Sequence, residues 1–178
     1  MQKLSATTLS YLTTQKFVEF AERMRDTRGE FERTQIALSA ILQDKGAADK
    51  LFAQTVELGL KSPFSIMQLN DYIKQLAAYR IETEDLYDTT KRLADISAGL
   101  NVEMSRLILA YGQVKAATVL RGQELRQFTE AGIPLLDALA KRFSNLNGEV
   151  VTTGEVLKKM IPEGLVSFED VKAVLFEM

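Results

Sequence analysis

The chain has 178 residues, 46% hydrophobic and 26% charged, and contains no Cys, His or Trp. That excludes disulfides, thiol nucleophiles, sulfur-bound metals and the usual imidazole base. Its 22 basic and 24 acidic residues leave a formal net charge of −2, which calls for neither nucleic acid nor an anionic membrane as a partner.

The longest uncharged run, Leu4 to Gln15, is half Ser and Thr, and a spanning helix needs about 20 apolar residues. The run is also too polar for the core of a signal peptide. With no export signal or anchor in it, the chain reads as a segment of something longer.

In chain order, Phe17, Phe20, Ala21 and Met24 form the first stripe of a 3.6-residue period. Phe31, Gln35, Leu38, Ile41 and Leu42 form the second, and Ala48, Leu51, Phe52 and Val56 the third. Ile66, Leu69, Ile73, Leu76 and Ala77 continue the pattern, followed by Met104, Leu107, Ile108 and Tyr111. Leu135, Leu136, Leu139, Ala140 and Phe143 follow, then the shorter sets Val156, Leu157, Met160, Ile161 and Phe168, Val171, Leu175. No segment alternates as a strand does. The fold class is therefore all-α: a compact domain of eight to ten helices with a longer N-terminal helical arm or hairpin.

Punctuation sets the expected boundaries. Ser65 with Gln68, and Ser167 with Asp170, have capping-box spacing, while Thr83, Asn101 and Thr153 are further N-cap positions. Pro63 and Pro134 suit a first helical turn, and Pro162 a helix end. Gly59, Gly99, Gly132 and Gly164, each followed by Leu or Ile, read as left-handed helix stops. Their similar spacing raises a helical repeat, but the intervening sequences do not resemble one another. The Gly59-Leu60-Lys61-Ser62-Pro63-Phe64 seam divides residues 1–61, the arm, from residues 62–178, the body.

Catalysis without His or Cys would rest on carboxylates. Glu82, Glu84 and Asp85 cluster, as do Glu124 and Glu130, and a glycosidase needs an acid pair. First-turn acids at a helix N-terminus explain Glu84 and Asp85 more simply. No calcium loop, phosphate loop or Glu-x-x-His pair occurs, so no catalytic, cofactor-binding or metal-binding residue is expected. Arg106, Lys115, Arg121 and Arg126 read as a solvated face balanced by Glu103, Glu124 and Glu130. The segment from Thr153 to Met178 has helix-turn-helix length. Its second helix would open Phe168-Glu169-Asp170, and two acids repel phosphates; two short helices closing a core is the expected arrangement.

An ordered set of blocks carries a family resemblance. It runs through Ala98-Gly99-Leu100, Tyr111-Gly112-Gln113, Leu120-Arg121-Gly122-Gln123-Glu124-Leu125 and Ala131-Gly132-Ile133-Pro134. Arg28-Gly29-Glu30-Phe31 and Ser62-Pro63-Phe64 precede it, and Gly164-Leu165-Val166-Ser167-Phe168 follows. From about Thr27 onward the chain resembles the tape measure domain of phage and prophage tail proteins. The resemblance implies a non-enzymatic structural module, involved in tail assembly and tail length determination and made in the bacterial host cytoplasm before it enters the virion. It implies tail tube and tail assembly proteins as partners, with self-association in the tail lumen, no specific nucleic acid and no membrane contact. The competing class is a helical protein–protein adaptor of host or phage unrelated to tails. A ruler should be an uninterrupted helix, whereas Gly, Pro and caps interrupt this chain every 10 to 20 residues. That pattern predicts a folded module.

Overall fold

The structure, a computed structural model, describes residues 26–178; the stripe from Phe17 to Met24 and the run from Leu4 to Gln15 lie outside them. Nine helices account for most of the described residues, and no strand occurs among them. Helix α1 covers residues 26–42, and α2 is Lys45–Lys61, α3 Ile66–Ala78 and α4 Leu86–Leu100, the last entered through a 3₁₀ turn at Thr83–Asp85. Next come α5 (Met104–Ala117), α6 (Gly122–Glu130) and α7 (Leu135–Asn147). Helix α8 begins at Thr153–Glu155 and continues as a wider π turn over Val156–Met160, and α9 is Phe168–Glu177.

Local chemistry sets these boundaries. Asp44 caps α2 by accepting the Ala47 N–H at 3.0 Å. Ser65 accepts the Gln68 N–H while Gln68 accepts the Ser65 N–H, at 3.2 and 3.0 Å. Ser167 and Asp170 exchange the same pair at α9, both at 3.1 Å. Two of the expected glycine stops take left-handed backbone, Gly132 at φ 77° and Gly164 at φ 71°.

The other two do not. Gly59 lies inside α2 because the next helix crosses it closely: a Cβ there would come within 2.7 Å of Ile66 Cγ1. Helix α4 runs through Gly99 to Leu100, and Asn101 makes the left-handed turn at φ 53°, a conformation that Asn tolerates. Asn101 therefore ends a helix where an N-cap is expected. Thr83 sits within the 3₁₀ turn, behind Glu82, without capping it. Thr152, and not Thr153, caps α8 through the Glu155 N–H at 3.2 Å. Pro63 precedes the Ser65 cap, and Pro134 is itself the N-cap position of α7.

Helix α5 is the centre of the packing. It meets α3, α4, α6 and α9, and buries Met104, Leu107, Ile108, Ala110, Tyr111 and Val114. Around it lie Leu69, Ile73 and Leu76 of α3, Leu86 and Leu93 of α4, and Leu125 and Phe128 of α6, all in one apolar cluster. Each fully buried Leu or Ile contributes about 1.5–3 kcal/mol. Helix α2 joins the cluster through Ala48, Leu51, Phe52 and Leu58, against α3 and α4. On α1 the stripe turns slightly from its expected line: Thr34 is buried and Ile41 is 44% exposed.

Among the described residues, one antiparallel bridge pairs Val119 with Ser167. The Leu120 N–H donates to the Val166 carbonyl at 2.8 Å, and the Phe168 N–H to the Thr118 carbonyl at 2.9 Å. This bridge holds Thr118 at φ 64°, an unfavourable setting for a β-branched residue, and ties the end of α5 to the start of α9.

Candidate functional site

The carboxylates singled out from sequence do not converge. Glu82 is exposed and lies 3.9 Å from Lys115 Nζ. Asp85 receives the Lys172 ammonium of α9 at 2.5 Å. Glu84 turns elsewhere, into a cavity of about 400 Å³ shared with Lys50, Tyr87 and Asp88 between α2 and α4. Glu124 and Glu130 stand six residues apart on α6, about 240° around the helix at 100° per residue. Glu130 is exposed and meets Arg106 at 3.7 Å, whereas Glu124 is only 7% exposed. Glu124 therefore does not balance a solvated face.

The four cations do not form one patch either. Arg106 and Lys115, nine residues apart on α5, point to opposite sides of it. Lys115 lies over the Phe168 ring, 4.8 Å from its centre, a cation–π contact. Arg121 and Arg126 are exposed around α6.

Helix α9 is fastened rather than free. Phe168, Val171, Val174 and Leu175 are buried, and Phe168 meets Tyr111 edge-on at 5.1 Å between ring centres. Arg92 of α4 donates to the Leu175 carbonyl at 2.7 Å, satisfying an acceptor at the helix C-terminus, where positive charge is favoured. Arg142 of α7 reaches Asp170 at 3.3 Å and Glu177 at 3.4 Å. What α9 leaves exposed includes Glu169 and Phe176, an acid and an apolar ring rather than the Arg, Lys, Asn or Gln that read DNA. Sequence reasoning missed this set of cross-helix cations, because Arg92–Leu175 and Lys172–Asp85 join residues more than 80 positions apart.

Among the described residues, Tyr111 is a clearly perturbed titratable group. Burial raises its phenol well above the ordinary value of 10.0; the neighbouring Thr89 hydroxyl opposes this slightly, and Asp85 and Glu169 add to it. The Tyr111 and Thr89 oxygens lie side by side, yet neither reaches full hydrogen-bond geometry. A neutral phenol held in the core acts in packing; it is not poised to exchange protons near pH 7.

Among the described residues, no three His, Cys, Asp or Glu side chains gather to hold a metal ion. No helix among them is long and apolar enough to cross a membrane. Glycine and helix-end chemistry shape the fold, and the polar side chains fasten helices to one another. The arrangement defines an all-α packing module. The tape measure protein family model matches residues 22–178, and the chain belongs to that family, a structural family of phage tails. No curated protein and no solved structure matches it significantly.

Proposed function

We propose that this chain is a folded, non-enzymatic docking module of a phage tail tape measure protein, which acts in tail assembly and in setting tail length. The observation that carries the reading is the short, back-folded helix arrangement within a tape measure match over residues 22–178. Helix α2, with 17 residues, extends about 26 Å at 1.5 Å per residue. A rod of 178 helical residues would extend about 270 Å, against a radius of gyration near 16 Å for a compact domain of that size. Measuring by length therefore falls to other parts of the parent chain. This module engages tail tube and assembly proteins, or further copies of itself in the tail lumen, with residues 1–61 as arm and 62–178 as body.

The reading is tested by breaking the core in the parent gene with Leu107→Asp and Phe128→Asp, each at a fully or almost fully buried position. Tail assembly should fail or misfire while the parent protein is still made. Normal numbers of tails of normal length would contradict it.

A further inference from the structure

We propose that the chain dimerises with a second copy of itself by exchanging α1, the turn at Gln43 and Asp44 straightening so that residues 26–61 become one helix. Gln43 ends α1 at φ 53°, a left-handed setting that is unfavourable for a residue without the short polar side chain of Asn or Asp. Gly132, Gly148 and Gly164 end later helices in the same region, at φ 77°, 71° and 71°, where glycine meets no such penalty. Gln43 and Asp44 alone join α1 to α2, and Leu42, Gln43 and Lys45 are good helix formers. The chain's three prolines are Pro63, Pro134 and Pro162, so none blocks a helix through this turn. Short hinges under strain invite exchange between copies.

Helix α1 can change places without losing its contacts. Arg28 pairs with Glu32, and Arg33 donates to the Gly29 carbonyl; both bonds lie within α1 and travel with it. Phe31 meets Phe52 of α2 edge-on at 5.5 Å between ring centres, and Leu38 is fully buried in the core cluster. In the exchanged dimer each copy's α1 fills this same place on the other, so these contacts are kept between chains. What changes is the hinge. Gln43 moves to right-handed backbone, and the first N–H groups of α2, of which that of Ala47 now relies on the Asp44 side chain, gain carbonyls one turn back. The fused helix is about 54 Å long at 1.5 Å per residue. Association costs translational freedom, so the dimer grows with concentration. Its place in a tail rests on the proposed function, in which copies of the module meet; whether it forms is decided in solution.

Light scattering on the full chain at rising concentration should show a dimer that separates slowly on dilution, because α1 must come off before it returns. Asp44→Ala, which removes the cap of α2 and favours a continuous helix, should raise the association constant at least about tenfold. Gln43→Gly, which suits left-handed backbone and disfavours helix, should lower it about a hundredfold. The chain has no Cys, so a Ser39→Cys copy can be mixed with an Asp49→Cys copy. Both positions line one cavity between α1 and α2, and a short bismaleimide should join them across the exchanged dimer. A chain that stays monomeric, Asp44→Ala included, would overturn the proposal. So would a dimer without that cross-link, or one that Gln43→Gly leaves unchanged, since either means that the copies meet without exchanging α1. None of these results bears on the need for the core in tail assembly, which Leu107→Asp and Phe128→Asp decide separately.

Discussion

The Tyr79 ring lies so close against the backbone of Gly112 that a Cβ on Gly112 would overlap ring carbons. Gly112 sits within α5, and Tyr79 is the residue that closes α3. This contact sets how near the two helices approach, and it gives the Tyr111-Gly112-Gln113 block a packing reason.

Gly112→Ala should therefore destabilise the protein by about 1–2 kcal/mol. Overpacking of about 1–3 kcal/mol outweighs the helix-propensity gain of roughly 1 kcal/mol. In a Tyr79→Ala background the same substitution should become neutral or stabilising. Thermal unfolding of the four proteins in this cycle checks both signs.

Gly132 and Gly99 look alike in sequence, each followed by an apolar residue, and should behave oppositely. Neither has an atom within 4 Å of an added Cβ, but Gly132 lies at φ +77°. Gly132→Val should cost about 1–3 kcal/mol from backbone strain alone. Gly99→Ala, within a helix and facing open space, should stabilise by up to about 1 kcal/mol. Melting temperatures that moved in the same direction for both would contradict the assignment of Asn101 as the stop.

That contrast marks what could be read from sequence. The Ser65 and Ser167 caps are legible because donor, acceptor and spacing all lie within four residues. The core stripes of α3, α5 and α9 follow from period alone. Gly59 and Gly99 were illegible as helix interiors, since what continues a helix past glycine lies elsewhere: Ile66 packed on Gly59, and the Val102 N–H and carbonyl both engaging Ser97 beyond Gly99. Burial of Glu124 was hidden for a related reason. A Glu in a first turn is the common surface choice, and its burial depends on tertiary packing that the local sequence does not carry.

Stability should fall at alkaline pH through Tyr111. Burial raises its folded pKa above the ordinary 10.0, so above pH 10 the unfolded chain loses the phenol proton while the folded chain keeps it. Stability is fully present below pH 10 and is lost above it, at up to about 1.4 kcal/mol per pH unit. Tyr72 acts in the same direction, through burial and then Glu103 and Asp71. Tyr111→Phe should flatten the alkaline limb and cost no more than about 1 kcal/mol at pH 7, because the hydroxyl lacks a full hydrogen bond. Chemical denaturation from pH 7 to 11 checks this.

Tail length after in-frame deletion tests the docking account most directly. Whole helices are removed from residues 65–143 of the parent gene, in parallel with deletions in continuous helical stretches elsewhere, and tails are measured by electron microscopy. The account predicts lost or misassembled tails from the first set, and from the second set tails shortened by about 1.5 Å per residue. Viable particles whose tails shorten by that same increment after deletions in residues 65–143 would make this segment part of the ruler and contradict the account.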